Sequence, residues 1–351
     1  MNVFLLYGAY GYTGRLITRM AADYGLRPTL SGRNEVKLRA MAEEFGFPFR
    51  AVSLEDENAL TELVREFKVV LHAAGPFVRT AGAMHQACLE AGVHYLDITG
   101  EIAAFAAAQS LDAAAKAKGV MLMPGVGFDV VPTDCMAAFL KQQLSSADHL
   151  TLAFAWKGGG ISHGTAMTMV EGLGDPGAVR KNGKIVPVRP AYKVRNFPFV
   201  AGKERTAVTI PWGDVFTAYY TTGIPDIETY FSTPSSQITF MKASRYLGPI
   251  LRLSMVKSYF RKKVAARPAG PTDEQRNNGE AYIYGQVSNA HGETVSARLK
   301  TPEGYTLTAI TALIITKKVL NGELKAGYQT PAGLYGPDLV MEVPGVEREI
   351  V

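Results

Sequence analysis

The 351-residue sequence predicts an α/β chain: an N-terminal doubly wound parallel sheet, then a second α+β domain with a largely antiparallel sheet. Three observations predict it. Strand-like and helix-like segments alternate over residues 1–125, a glycine-rich turn joins the first strand to the first helix, and after Pro124 the chain turns to β-type runs with few helices between them.

The elements follow in order. Apolar runs bounded by turn residues stand at 3–7, 29–31, 49–52, 69–72, 95–98 and 120–123, with helical patterns at 14–24, 35–45, 57–67, 83–91 and 103–118 between them. Each run has the length of a buried parallel strand, and each spacer is long enough for a right-handed crossover. Five crossovers imply six parallel strands. Pro132-Thr133-Asp134 then opens a helix to about Leu144. β-type runs follow at 150–156, 207–210, 218–222 and 228–231, and a hairpin is expected from 281–289 and 293–300 across Ala290-His291-Gly292. An apolar helix over 308–320 precedes an aperiodic tail over 322–345. The domains are therefore expected at 1–125 and 126–305, with 306–351 packing back on the first.

Tyr7-Gly8-Ala9-Tyr10-Gly11-Tyr12-Thr13-Gly14 sits between a hydrophobic strand and an amphipathic helix. Gly8 permits a tight turn, Gly11 lets backbone approach a pyrophosphate, and Gly14 allows close helix–strand packing, while the helix N-terminus offers unpaired N–H groups. The spacing is GxxGxxG, one residue longer in its first gap than the usual dinucleotide fingerprint. This placement predicts a Rossmann domain, with Gly8, Tyr10, Gly11, Tyr12, Thr13 and Gly14 around the phosphates. The second strand ends Leu30-Ser31-Gly32-Arg33-Asn34 and lacks the carboxylate that holds both ribose hydroxyls in NAD-binding chains. Ser31 can donate to a 2′-phosphate, and Arg33 can pair with it while stacking on adenine, so NADP(H) is expected over NAD(H). Ala74, Gly75 and Pro76 follow the fourth strand, at the carboxyl edge where ligands bind, and are expected beside the nicotinamide ribose.

Together with this loop, Ser31-Gly32-Arg33, Ala73-Ala74-Gly75-Pro76-Phe77, the stretch 95–101 (Tyr95-Leu96-Asp97-Ile98-Thr99-Gly100-Glu101) and the stretch 125–134 resemble the saccharopine dehydrogenase-like oxidoreductases, a family that includes bacterial trans-acting enoyl reductases. Gly164-Thr165-Ala166, Gly213-Asp214, Thr222-Gly223-Ile224-Pro225, Gly304-Tyr305-Thr306 and Thr330-Pro331-Ala332 extend the likeness over nearly the whole chain. The resemblance implies a Rossmann domain, an α/β substrate domain and NAD(P)-linked redox chemistry. It fixes no substrate.

Polar residues on a strand that should be buried need partners or a ligand. Tyr95, Asp97 and Asp129 are accordingly the candidates for orienting a substrate and relaying a proton, with capping or inter-strand bonding the competing role for Asp97. Asp129 is expected to face the same cleft. His72 reads as a core histidine and His163 as a loop histidine. Cys88 and Cys135 have no neighbouring partner that would make a nucleophile.

Two cysteines exclude a disulfide framework and favour a reducing cytosolic setting, and neither CxxC nor HExxH is present, so no metal site is expected. The first residues read as a strand rather than a signal peptide. Net charge is +5, yet 242–267 holds eight basic residues and no acidic one, and the rest of the chain is net acidic. Tyr246, Ile250, Leu253, Val256, Phe260 and Val264 make one helical stripe in that stretch, with a break expected near Gly248-Pro249. Residues 239–266 are thus a candidate contact for an anionic membrane surface or an acyl carrier protein, against a core-packed helix with a solvated basic face. Nucleic acid is disfavoured.

The sequence therefore predicts an NADPH-dependent reductase of an enoyl- or carbonyl-bearing apolar substrate. A saccharopine-type imine reductase and a non-catalytic NAD(P)-binding scaffold are the alternatives.

Overall fold

The computed structural model describes residues 3–351. Two compact units emerge, one from residues 1–131 and 305–334, the other from 132–304 and 335–351.

The first unit carries β1 (Val3–Tyr7), α1 (Tyr12–Met20), β2 (Arg27–Gly32), α2 (Glu35–Phe45), β3 (Phe49–Ala51), α3 (Glu57–Arg65), β4 (Val69–His72), α4 (Phe77–Ala91), β5 (His94–Asp97), α5 (Ile102–Ser110), α6 (Asp112–Ala117) and β6 (Met121–Met123). All six expected strands form and pair in parallel, in the order β6-β5-β4-β1-β2-β3. Phe4, Leu5, Leu6, Val70 and Leu71 are completely buried, as strands covered by helices on both faces must be. The chain order reverses between β1 and β4, which opens the crevice where doubly wound sheets bind ligands.

The second unit contains α7 (Val131–Gln143), β7 (His149–Lys157), α8 (His163–Glu171), β8 (Gly177–Lys181), β9 (Lys184–Val188), β10 (Val194–Val200), β11 (Lys203–Thr209), α9 (Asp214–Thr222), β12 (Asp226–Ser232), α10 (Ser235–Leu251), α11 (Ser254–Ala265), α12 (Asp273–Asn277), β13 (Glu280–Ser288) and β14 (Thr294–Pro302). Its sheet runs β10-β11-β12-β7-β13-β14 and is antiparallel except at β12–β7. Phe197, Phe199, Tyr230 and Tyr284 pack together on one face of it.

After β14 come α13 (Gly304–Leu320), β15 (Gly327–Tyr328), α14 (Pro331–Tyr335) and β16 (Glu347–Ile350). The apolar α13 joins the first unit: the Thr308 hydroxyl accepts from Phe128 N–H at 2.9 Å and Thr311 donates to the Val126 carbonyl at 2.7 Å. β15 adds a seventh parallel strand beside β6.

Three expectations need correction. The tail does not return to the first unit as a whole, because β16 pairs antiparallel with β14 through Ala297↔Ile350 to Lys300↔Glu347. Residues 218–222 are helical, not a strand. Gly213 starts α9, Gly223 ends it in the left-handed region, and Phe216 stacks on Tyr220 at 5.0 Å one turn on. The β8–β9 hairpin was absent from the expected elements, although Asn182-Gly183 supplies two positive-φ residues, the strongest short hairpin signal.

Candidate active site

The loop after β1 is built by contacts that exclude side chains. Gly8 has φ +87°, and a methyl group on it would come within 2.8 Å of the Ala73 and Ala74 backbone. A methyl group on Gly14 would stand 2.4 Å from the Gly8 carbonyl oxygen. The loop hangs on β2, with Gly8 and Ala9 N–H both donating to the Ser31 carbonyl. Gly11 is the N-cap of α1, no side chain caps that helix, and its first turn holds no acidic residue. Tyr10, Gly11, Tyr12 and Thr13 are half-buried. A narrow backbone cradle at an uncapped, electropositive helix start fits a pyrophosphate. Tyr12 also meets Tyr305 of α13 edge-on at 5.1 Å.

At the end of β2 the backbone turns through Gly32, where a methyl group would strike the Tyr10 ring at 2.7 Å. Arg33 is exposed and, among the described residues, no acid pairs with it. Lys37, one turn into α2, places its Nζ 5.6 Å from the centre of the Tyr10 ring. One cation thus stands over Tyr10 and a second, exposed one at the strand end, where no carboxylate stands, and this charge pattern suits a 2′-phosphate. Lys37 escaped the sequence reading because a basic residue inside a helix reads as solvated; its position one turn after Arg33 is the available signal. Ser31 needs correction. It is completely buried, and its hydroxyl donates to the Arg50 carbonyl at 2.9 Å, so it ties β2 to β3 and does not reach toward a phosphate.

The loop after β4 runs Ala73-Ala74-Gly75-Pro76 into α4, with a cis Gly75–Pro76 peptide. The start of α4 has no local side-chain cap. Glu101 supplies one from a distance: Oε1 accepts from Phe77 N–H at 2.9 Å and Oε2 from Val78 N–H at 2.8 Å. A carboxylate there satisfies two orphan donors and complements the helix dipole. Thr80 donates to the Ala74 carbonyl at 2.7 Å and steadies the same loop. Glu101 is a positioning residue that the strand-end pattern marked only as a polar group in need of partners.

Asp129 is held beside this clamp. A methyl group on Gly100 would lie 2.8 Å from its Cβ. The Asp129 carboxyl is pushed up to about 7, first by burial and then by the charge of Glu101. It is partly exposed, and among the described residues it accepts no hydrogen bond. An acid that holds its proton near neutrality, with no hydrogen bond to commit its carboxyl, can give that proton up to a substrate.

Tyr95 and Asp97 do something else. Both are completely buried. The Tyr95 hydroxyl donates to Asp97 Oδ2 at 2.6 Å, while Oδ1 accepts from Thr99 and Gly125 N–H, both at 2.9 Å. Burial pushes Asp97 up to about 6 against these hydrogen bonds, and burial holds the Tyr95 phenol well above its usual range. This network ties β5 to the turn after β6. Its members have no face open to a substrate, so the two are corrected from catalytic candidates to structural residues. His72 and His85 pack against Tyr95, and burial lowers them to about 3 and about 4, so both are neutral in the fold. His163 starts α8, and its ring bonds the Arg267 carbonyl. Cys88 and Cys135 are buried, and burial pushes both thiols up. Among the described residues no cluster suited to a metal exists.

Fold, cradle and cation pair define a dinucleotide-binding domain of the Rossmann class. More particularly, residues 4–123 match the family model for the saccharopine dehydrogenase NADP binding domain, which bears out the resemblance and the NADP expectation. Curated relatives include a lipid droplet localized protein of Caenorhabditis elegans, 29% identical over 238 residues that cover 59% of this chain and 55% of the relative. A saccharopine dehydrogenase-like oxidoreductase of Rattus norvegicus is 27% identical over 239 residues, 59% of this chain and 56% of the relative. A trans-acting enoyl reductase of Mycobacterium ulcerans (strain Agy99) is 26% identical over 223 residues, 58% of this chain and 50% of the relative. The matched stretches span about half the length of these relatives. Apo saccharopine dehydrogenase (L-Glu forming) from Saccharomyces cerevisiae shares the fold, with a TM-score of 0.67 at 14% identity over 100% of this chain and 99% of that one.

Proposed function

We propose that this chain is an NADPH-dependent reductase of an unsaturated or carbonyl-bearing apolar substrate. The observation that carries the reading is a protonatable acid, Asp129, packed against Gly100 and next to Glu101, the residue that clamps the loop after β4. Gly8, Gly11 and Gly14 would hold the pyrophosphate, Arg33 and Lys37 the 2′-phosphate, and Ala74-Gly75-Pro76 the nicotinamide ribose. Reduced nicotinamide, when bound, supplies a hydride. The chain's own part is to deliver the balancing proton: Asp129 donates it as negative charge develops on the substrate and is reprotonated from water. Glu101 keeps the loop against α4 and, by its charge, keeps the proton on Asp129 until it is needed.

Relatives named as oxidoreductases and as an enoyl reductase support redox chemistry. An imine reductase of amino-acid metabolism would gather arginines for several carboxylates. In the second unit Arg180 is instead buried against the Val215 and Gly183 carbonyls, Arg195 lies over Phe197, and Arg205 bonds the Trp156 carbonyl. Three of the four arginines available for that role are thus used where they stand and the fourth, Arg189, lies exposed, which supports the apolar substrate.

The test is NADPH oxidation followed by the coenzyme's absorbance across enoyl, keto and imine substrates, for wild type and Asp129→Asn. Turnover of an enoyl or keto compound should fall about a hundredfold or more in the variant while NADPH affinity holds. Undiminished turnover in Asp129→Asn removes the proposed acid. Binding of NADPH without oxidation of any panel member would favour the scaffold.

A further inference from the structure

The second unit shows a surface that the redox reading does not use. Helices α10 and α11 each turn one side inward: Ile238, Leu251 and Val264 are buried, and Phe260 packs with Val264 against Ala166 and Val170. Four of the cations belong to that inner side. Arg245 bonds the Pro190 and Ala191 carbonyls, Arg252 the Gly174 carbonyl, Lys257 the Glu171 carbonyl and Arg261 the Glu171 carboxylate. They fasten the helices to the unit.

The outer side is different. Seven of the sixteen exposed large hydrophobic residues among those described fall between 240 and 259: Phe240, Tyr246, Leu247, Ile250, Leu253, Met255 and Tyr259. Tyr246 is 86% exposed and Met255 82%. Five of the seven crowd the corner where α10 ends and α11 begins, at the non-helical Leu253. Lys242, Lys262 and Arg267 stand exposed without acidic partners, and no acidic residue occurs between Glu228 and Asp273. The expected single stripe is thus divided: Val264 and Phe260 serve the core, and Tyr246, Ile250 and Leu253 face water.

We propose that the α10–α11 corner docks this protein on an anionic lipid surface, with the apolar side chains entering the headgroup region and the unpaired cations meeting lipid phosphates. An exposed apolar patch rimmed by polar residues marks an interaction surface. Here the rim is mostly cationic, its one nearby carboxylate, Asp175, being engaged by Arg252 at 3.4 Å. Tyr, Leu, Ile and Met beside Lys and Arg are the chemistry of an interfacial helix. An acidic protein partner would draw on the cations, yet it would leave prominent knobs such as Tyr246 and Met255 needing deep pockets. A fluid interface takes them without such complementarity. No helix among the described residues is long and apolar enough to cross a membrane, so the contact is peripheral.

The test is vesicle co-sedimentation at low salt, with phosphatidylcholine vesicles with and without phosphatidylglycerol. Wild type should pellet with the mixed vesicles, and salt should release it. Lys242→Gln/Lys262→Gln/Arg267→Gln and, separately, Tyr246→Ser/Leu253→Ser/Met255→Ser should each weaken partition by about tenfold or more. All six side chains are exposed, so both variants should fold, which circular dichroism and NADPH affinity check. Equal pelleting of wild type and variants overturns the proposal. So does a wild-type dimer that the apolar triple variant dissolves, which would assign the corner to a second copy. Saturable binding of an acyl carrier protein by a wild type that ignores the vesicles overturns it as well.

Discussion

The Gly14 α-carbon lies so close beneath the Gly8 carbonyl that a single methyl group on Gly14 would stand 2.4 Å from that oxygen and 2.8 Å from the Ala9 carbonyl oxygen. Both neighbours are backbone, so the crowding cannot be relieved by turning a side chain. The tight entry of β1 into α1, and with it the aim of the helix N-terminus, depends on this one missing side chain. Gly14→Ala should destabilise the protein by about 1–3 kcal/mol through overpacking and weaken NADPH binding. Denaturant unfolding and a fluorescence titration check the two effects, and a variant normal in both would refute the packing argument.

Asp97 separates structure from chemistry. Removing its carboxyl orphans two backbone N–H groups and leaves the Tyr95 hydroxyl only the 3.3 Å contact to His72 Nδ1 in a fully buried site. Asp97→Ala should therefore cost about 3 kcal/mol or more. Asp97→Asn keeps an acceptor for the two N–H groups and should retain both fold and turnover. A stable Asp97→Asn protein with little activity would return this residue to the reaction.

Stability should respond to pH with opposite signs at the buried histidines and the buried aspartates. His85 and Asp129 test the two, His72 acting with the sign of the first and Asp97 with that of the second. His85 is lowered to about 4 from an ordinary 6.5, so its contribution is complete above about 6.5 and is lost as pH falls through 4. Across that window it amounts to roughly 3 kcal/mol. His85→Phe should flatten the acid side of the urea-midpoint profile; an unchanged profile would show that the ring is not desolvated. Asp129, raised to about 7, contributes most at low pH and loses that contribution as pH rises from about 4 through 7. Asp129→Asn should consequently be the more stable protein at pH 8, by urea midpoint. A less stable variant there would mean that the carboxyl is not desolvated in the fold.

The parallel sheet was legible because each strand, such as Val69–His72, is an unbroken apolar run and each crossover a separate helical pattern. The glycine loop was legible because its constraints are local. Less legible were features set by distant packing. Ser31 and Asp97 are polar residues on buried strands, and a sequence shows the polar group without showing whether a backbone or a ligand satisfies it. Glu101 caps a helix that starts 24 residues earlier, a relation that no local pattern carries. α9 contains Tyr219, Tyr220, Thr221 and Thr222, whose strand preference yields to the glycines at its two ends. The tail divides between the units because β16 completes an edge of β14, and pairing partners are not written in an aperiodic segment.

Calorimetric titration of wild type and an Arg33→Ala/Lys37→Ala variant with NADPH and with NADH tests the central claim most directly. The cradle and the cation pair predict that wild type binds NADPH at least about tenfold more tightly than NADH, and that the variant loses most of this preference while its NADH affinity stays near that of wild type. Absence of heat with both coenzymes, or equal affinity for the two in wild type, would contradict the account.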